Sequence, residues 1–343
     1  MSACDMESVL AQITSSSTHP AITNIIRKAA DADILPVLKF DRWVGLSPQD
    51  FLRILPALRL ASQIMRSPRG LQFFYARARG NTEVTFDDRD INQLRFYRDD
   101  RTPNAHLPPD HAAIAHTYLN DLVMAVTLAF EPRPDETEGD CEPLSHDRIH
   151  WSQPGIRSKV VMNEKNLHRL DLMQTLGPAV LKQWVIMATT LCHELSHAFN
   201  MAFEGQEDHE MFFEDDTFCE LGHAFEKFVI GGQVLVERGP AGEAMMVMRE
   251  WSSSHMSKVY AAGGTYVPTV SRASEPDPLD MTVVQDSWTE RLFNDERFWD
   301  ETLVRDGGQS LQIPVAAFAR RERVDYSTKL VSEWVRATGW IRG

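Results

Sequence analysis

The chain has 343 residues, of which 43% are hydrophobic and 24% charged, a composition typical of a globular protein with a sizeable buried core. Its 49 acidic residues outnumber the 35 basic ones and give a formal net charge of -14, which argues against binding to nucleic acid or to an anionic membrane surface. The four cysteines are too irregularly spaced for a disulfide framework, and neither a secretory signal peptide nor an apolar run of about eighteen residues is present, so we expect a cytoplasmic protein.

The first part of the chain is predicted to be mainly helical. Apolar residues recur at three- and four-residue steps in Phe51–Ala78 and again in His111–Phe130. Pro56 and Pro68 are expected to mark a start and a break within the first of these segments. We therefore assign residues 1–140 to an N-terminal helical region.

The middle of the chain begins with a candidate linker and continues into a strand and a helix. Glu131–Pro143 is rich in acidic residues, proline and glycine, as expected of an exposed linker or long loop. Ile156–Met162 has the pattern of a short strand. Gly177-Pro178 then introduces a long apolar helix, predicted from about Ala179 to Phe203.

The remaining elements are predicted from weaker patterns. A second helix is expected over Thr217–Phe228, with Gly231-Gly232 as its C-terminal stop. Thr265–Asp280 has the composition of a loop. Trp288, Leu292 and Trp299 lie at helical spacing and are expected to pack in the core, and a final helix is predicted around Ser327–Thr338.

The long apolar helix carries the sequence LCHELSHAF, from Leu191 to Phe199. His193 and His197 are four residues apart, so on a helix they project from one face and can bind one Zn²⁺. Glu194 flanks that position and can accept a proton from a zinc-bound water as the water attacks a carbonyl. The pattern HExxH therefore predicts a catalytic zinc site.

The alternative without a metal ion is a helix whose two histidines lie in the core and bond only to neighbouring protein groups. The surrounding residues are apolar almost all round the helix, which predicts that the helix is buried. Two imidazoles and a carboxylate in such a place need partners, and a metal ion supplies them. We therefore favour the metal site.

A catalytic zinc ion needs a third protein ligand and an open position. Glu220 is the favoured third ligand, because its neighbours, such as Leu221 and Phe225, are apolar. A carboxylate in such surroundings indicates a specific partner, whereas the carboxylates of an acidic loop are usually solvated. His223 is the main alternative, and it is also a candidate proton donor. Glu226 and the acidic segment Glu204–Asp216 stay open as further alternatives, Glu226 also as a partner for a ligand histidine.

The combination of HELSH with the later ELGHAFE resembles the gluzincin branch of the zincin metallopeptidases, whose pattern is HExxH…ExGxxxE. Glu220, Gly222 and Glu226 fill the later positions. The chain is similar in this respect to intracellular HExxH proteins found largely in fungi. The metzincin pattern fails, because Asn200 and Phe203 stand where glycine and histidine are required, and the acidic balance fits the SprT-like crosslink proteases poorly.

The resemblance implies that a small mixed sheet packs on the HExxH helix and that its edge strand lines the cleft. Val160–Asn163 is the candidate for part of that edge strand, pairing with an extended substrate. The class also uses a histidine or tyrosine to stabilise the oxyanion. We favour Tyr266, which follows two glycines, and His223 for catalytic roles; the other candidates for the oxyanion stabiliser are Tyr260 and His255.

These inferences predict a mostly helical α+β protein in which residues 141–343 form a zincin-like catalytic domain, with the option that the whole chain is one continuous unit. The expected function is a zinc-dependent hydrolase, favouring a metallopeptidase that cleaves a peptide or amide bond by zinc-water attack with Glu194 as general base. One rival is a zinc-dependent tailoring enzyme acting on a non-peptide small molecule. The other rival is a non-catalytic protein with a structural zinc site.

Overall fold

The computed structural model describes most of the chain in separate ranges, and all structural statements below concern these ranges: residue 11 and residues 20–30, 33–86, 92–100, 106–134, 137–148, 155–173, 177–204, 211–214, 216, 220–238, 244–249, 279–314, 318–325 and 329–336. Within them the protein is α+β, with more residues in helices than in strands. This confirms the predicted α+β class.

The helices lie mainly in the first two thirds of the chain. The α-helices are α1 (Pro20–Ala30), α2 (Pro48–Met65), α3 (Pro68–Arg79), α4 (Pro109–Asp121), α5 (Lys165–Met173), α6 (Gly177–Glu204), α7 (Leu221–Ile230), α8 (Asp286–Asn294) and α9 (Leu303–Arg305). Single 3₁₀ turns occur at Pro36–Leu38, Phe40–Arg42, Leu122–Met124 and Gln309–Leu311, and a π-helical turn at Phe298–Thr302. None of the described helices combines the length and apolarity needed to cross a bilayer.

The strands form three sheets. They are β1 (Trp43–Val44), β2 (Asn81–Phe86), β3 (Asn92–Tyr97), β4 (Val126–Glu131), β5 (Gly139–Arg148), β6 (Ile156–Asn163), β7 (Phe212–Phe213), β8 (Gln233–Arg238), β9 (Ala244–Arg249), β10 (Leu279–Val283), β11 (Phe318–Asp325) and β12 (Lys329–Arg336). The sheet orders are β1-β4-β6-β5, β2-β3-β7 and β12-β11-β10-β9-β8.

The four-stranded sheet packs on α6 through β6 and β5. Strands β1, β4 and β6 are parallel to one another, whereas β5 runs antiparallel to β6, so the sheet is mixed. The expectation that Val160–Asn163 lies at the edge is wrong, because β4 and β5 flank β6 on its two sides. The edge strand beside the helix is β5, from Gly139 to Arg148.

The predicted loop at Glu131–Pro143 is corrected by this strand. Only the middle of that segment lies between strands, since β4 ends at Glu131 and β5 begins at Gly139. An edge strand tolerates exposed acidic side chains and a proline, and the pairing of β5 with β6 shifts register after Pro143. The composition therefore indicated a sheet edge rather than a linker.

Two segments that were predicted to be helical form strands over part or most of their length. The segment His111–Phe130 is helical only to its middle, because Val126–Glu131 is inserted between β1 and β6 as a buried strand. An apolar run of this length fits either structure until its partners are known. The described part of the predicted final helix at Ser327–Thr338 is instead strand β12 (Lys329–Arg336), which pairs with β11 along its whole length.

Helices α2 and α3 begin at serine caps. Ser47 and Ser67 each accept a hydrogen bond from a backbone N–H three residues later, and a proline follows each of them at the first helical position. The predicted break at Pro68 is therefore confirmed. The start predicted at Pro56 is wrong, because Pro56 lies inside α2, where burial of the helix compensates for the lost hydrogen bond.

Aromatic packing fixes the position of the HExxH helix. Phe225 on α7 lies with its ring centroid 5.3 Å from those of both Phe73 and Phe74 on α3. Phe74 in turn lies 4.8 Å from Phe199 on α6. The apolar core cluster extends from Ile22 to Ile313, so it draws on both sides of the proposed boundary at residue 140. Helices α3, α6 and α7 are thus fixed relative to one another beneath the candidate site.

Candidate metal centre

Helix α6 presents the three residues of the motif at one point along its length. The intervening and flanking residues are fully buried and hold the helix in the core: Leu191, Cys192, Leu195, Ala198 and Phe199. The side chains of His193 and His197 are 15% and 16% exposed, and their ring centroids lie 5.1 Å apart. Glu194 is buried beside them. The helix therefore presents two imidazoles together at a partly accessible surface.

Glu220 reaches the same point from the start of α7. It was predicted to lie within the second helix, whereas the structure places it at the N-cap, where its side chain accepts the backbone N–H of His223. Its Oε1 atom lies 2.6 Å from His197 Nε2 and 3.1 Å from His193 Nε2. One carboxylate oxygen thus contacts both imidazoles.

The separations among these atoms suit a single small cation. Zinc bonds of about 2.0–2.1 Å in a tetrahedron place neighbouring ligand atoms about 3.4 Å apart. Ligand atoms of His193, Glu194 and His197 lie within 4.8 Å of one another, and so do those of His193, Glu220 and His223. Neither cluster contains His193, His197 and Glu220 together, but both include His193, and Glu220 Oε1 lies close to Nε2 of both motif histidines. These three residues are therefore candidates to bind one ion.

A second carboxylate lies behind the first histidine. Glu226 is only 3% exposed, and its Oε2 atom lies 3.4 Å from His193 Nδ1 and 3.2 Å from His223 Nδ1. A carboxylate on the far nitrogen of a ligand histidine fixes the ring orientation and leaves Nε2 for the metal. Glu226 therefore occupies the position of a partner that orients His193.

The charges of the cluster favour an added cation. Burial alone would lower the pKa of His193, but the carboxylates of Glu220 and Glu226 raise it well above its ordinary value. Burial would raise the pKa of Glu220, yet the two motif histidines hold it well below its usual range. In the described residues, the ion-pair partners of Glu220 and Glu226 are histidines. A bound metal ion would supply positive charge beside these carboxylates in place of the protons on the histidines.

Gly222 allows this close approach of the two helices. A Cβ atom built there would lie 2.3 Å from Cδ2 and 2.4 Å from Nε2 of His193. No side chain larger than hydrogen fits without moving the imidazole. The sequence reasoning included Gly222 only as part of a family pattern, and the structure gives it a steric role.

We expect Gly222→Ala to weaken metal binding by the histidine cluster at least tenfold, because the new methyl group displaces the His193 ring. Alanine has the higher helix propensity by about 1 kcal/mol, so a loss of affinity cannot be attributed to a weaker helix. A competitive titration against a zinc chelator measures the effect. Lys227→Ala, on the exposed face of the same helix, is the control, and equal affinities for the two variants would contradict the steric role.

The edge strand lies directly against the motif. A Cβ atom built on Gly139, the first residue of β5, would lie 2.7 Å from Thr190 Cγ2 and 3.0 Å from Glu194 Cγ. This contact was not predicted, because Gly139 lies in the segment Glu131–Pro143 that was expected to be a loop. A glycine among exposed acidic residues was the available signal, since isolated strand glycines often mark close approaches.

The remaining predicted candidates either lie outside the described residues or have other partners. Tyr266, Tyr260 and His255 lie outside the described residues. Much of the acidic segment also lies outside them, and two of its described carboxylates have other partners: Glu214 binds Arg98, and Asp216 binds Lys227. These two acids are thus engaged by cations rather than by the histidine cluster.

Comparison with known proteins gives no relative for this arrangement. No protein-family model matches the chain, and neither a curated protein nor a solved structure matches it. The geometry and chemistry of the site itself are therefore the basis for assigning a function.

Proposed function

We propose that this chain is a zinc-dependent hydrolase and that its substrates are peptides or related amides. The observation that carries the proposal is the convergence of His193, His197 and Glu220 beside a buried Glu194. This set combines a metal-binding face with a carboxylate placed to accept a proton. Neither feature alone would indicate hydrolysis, and a packed core has no need of the combination.

The residues that would hold the ion are His193, His197 and Glu220. Two imidazoles and one carboxylate are a donor set suited to zinc, whereas magnesium and calcium prefer oxygen donors alone. When bound, zinc would polarise a substrate carbonyl and lower the pKa of a coordinated water. The protein's own contribution is to hold the three ligands, orient His193 through Glu226, and place a base nearby.

Glu194 is the proposed general base. Burial raises the pKa of its carboxyl group, partly offset by the neighbouring histidines, and a base with a pKa nearer neutrality transfers protons more effectively. The carboxylate would take a proton from the attacking water and deliver it to the leaving amine. Gly139 packs against the side chain and restricts its position from the strand side.

The edge strand supports a peptide-like substrate. Strand β5 pairs with β6 on one side, and no strand of the described ranges pairs with its other side. An extended peptide can add to such an edge through main-chain hydrogen bonds. Because β5 begins at Gly139 against Glu194, a peptide bound there would pass close to the proposed base. This arrangement favours a peptidase over an enzyme with a closed small-molecule pocket.

The gluzincin likeness of the sequence agrees with this proposal. The small mixed sheet against α6 and the carboxylate at the start of α7 support it. We propose a zincin-like assignment on these grounds. Two later residues of the pattern ExGxxxE have physical roles in this proposal: Gly222 leaves room for the His193 ring, and Glu226 orients that ring.

A structural zinc site is the second candidate, and one observation favours it. His223 Nδ1 lies 3.6 Å from Glu220 Oε2, and its ring centroid lies 4.9 Å from that of His193. A fourth ligand from His223 would close the position that catalysis requires. His223→Ala distinguishes the two: unchanged zinc affinity excludes His223 as a ligand, whereas a large loss supports the structural site.

The function is tested with the zinc-loaded full chain and a diverse peptide library analysed by mass spectrometry. We expect cleavage that stops when a chelator removes the metal and returns when zinc is restored. A His197→Ala preparation, purified in the same way and assayed with the same added zinc, is the control for contaminating peptidases. Absence of cleavage by a chain that carries stoichiometric zinc would overturn the peptidase proposal.

We expect Glu226→Gln to weaken zinc affinity about 10- to 100-fold, the range typical of such partners. The amide keeps the size of the side chain but removes the charge that orients and polarises His193. Chelator competition measures the affinity, and thermal unfolding checks the fold. Glu290→Gln, at an exposed position on α8, should bind zinc as the wild type does. Equal affinity of the two variants would contradict the orienting role.

A further inference from the structure

A cavity of about 440 Å³ shares no lining residue with the candidate metal cluster. It is bounded by the junction of α2 and α3, by α4, and by the π-helical turn with α9. Small-molecule sites commonly have volumes of about 300–1,000 Å³. The volume is thus adequate for a small organic ligand.

The half-buried residues that line this cavity include a guanidinium, an imidazole and an indole. Arg66 follows α2, His116 lies on α4, and Trp299 lies on the π-helical turn. The acidic residues in the lining, Asp33 and Asp300, are both exposed. The charged or polar end of a ligand would therefore meet a guanidinium and an imidazole inside, with carboxylates towards the solvent.

Arg66 has capacity to bind an anion. Its Nη1 atom donates to the backbone oxygen and the carboxylate of Asp33, at 3.1 and 3.0 Å. The Asp33 side chain is 82% exposed, so this ion pair is solvent-screened and weak. Among the described residues, no partner engages the remaining guanidinium nitrogens. A ligand carboxylate would find two donors of a planar fork there.

His116 on α4 lines the same space. No hydrogen bond or ion pair to its ring occurs within the described part of the chain. Burial lowers the pKa of His116, and the nearby Arg66 lowers it further. A neutral imidazole next to a guanidinium offers a ring N–H donor without a second full charge. A bound anion would satisfy both groups.

The π-helical turn at Phe298–Thr302 gives the cavity an ordered aromatic wall. π-helical turns are rare and often occur at functional sites. The Trp299 indole N–H donates to the backbone oxygen of Leu292 at 3.0 Å, which fixes the ring. Leu303 and Leu71 also line the cavity and are buried. An apolar or aromatic ligand body would contact this wall.

We propose that this cavity binds a small organic carboxylate with an aromatic or branched apolar body, whose acid group binds Arg66 and His116 and whose body packs on Trp299. The proposal does not depend on the hydrolase function. It assigns the chain a second ligand site, separate from the residues that would hold zinc.

The test is calorimetric titration of the zinc-supplemented full chain with 4-phenylbutyrate. We expect one binding site per chain, and binding of the uncharged 4-phenylbutanamide that is weaker by about tenfold or more, as the loss of a charged hydrogen bond predicts. Arg66→Gln should weaken 4-phenylbutyrate binding to a similar extent. Arg157→Gln, an exposed arginine on β6, should leave it unchanged.

A second variant covers the case in which Arg66→Gln fails to fold. Ala112→Phe places a ring in the cavity from α4 and should abolish binding while the thermal unfolding transition is retained. Glu194→Gln should bind 4-phenylbutyrate as the wild type does, which separates this test from that of the hydrolase. Equal affinity for the acid and the amide, unchanged affinity in Arg66→Gln or in a folded Ala112→Phe variant, or no binding at millimolar concentration would overturn the proposal.

Discussion

Replacing His197 by alanine is expected to abolish stoichiometric zinc binding. The wild-type chain should retain about one zinc ion after dialysis against a weak chelator, as a three-ligand site predicts. The variant loses one of those ligands and leaves Glu220 without the imidazole that lies 2.6 Å from it. We expect at least a thousandfold loss of affinity, measured by metal analysis of the purified protein and by chelator competition.

The control for this experiment is His168→Ala. His168 is exposed on α5 and lies outside the two clusters that can hold a metal. It should retain wild-type zinc content, so that a loss specific to His197 can be assigned to the site. Wild-type zinc content in a folded His197→Ala protein would show that the ion is held elsewhere, and the proposed centre would be wrong.

The motif on α6 could be predicted because its geometry is local. Four residues make about one helical turn, so HExxH places His193 and His197 together in any helix that forms. Glu220 required a second argument, from its apolar neighbours, and the structure brings it to both histidines. Its place at the N-cap was not predicted, because helix ends depend on capping geometry as well as on periodicity.

The sheet that supports the site was harder to predict because strand pairing is non-local. The apolar sequence of strand β4 fits a helix equally well, and only its pairing with β1 and β6 identifies it as a strand. Strand β5 has the acidic, proline-containing composition of a loop, although it forms the sheet edge against α6. The contact of Gly139 with Glu194 follows only once the strand is placed. The wall that strand β5 forms beside Glu194 was therefore the part of the candidate site that the sequence left undetermined.

Replacing Glu194 by glutamine should separate metal binding from catalysis. Glutamine has nearly the same shape, so it keeps the packing against Gly139 and leaves the three proposed ligands in place. It cannot accept a proton, and general-base catalysis typically contributes a factor of about 10²–10⁴. We expect wild-type zinc content and a fall of that size in kcat on a peptide identified in the library screen.

The stability of this variant provides a further check on the assignment. Burial raises the pKa of Glu194, so removing its charge should not lower the unfolding temperature of the metal-free protein. Glu290→Gln, at an exposed position on α8, is the matched control and should keep full activity. Full turnover by zinc-loaded Glu194→Gln would exclude this carboxylate as the base, while leaving the metal centre itself intact. Loss of turnover together with loss of zinc would instead place Glu194 among the ligands.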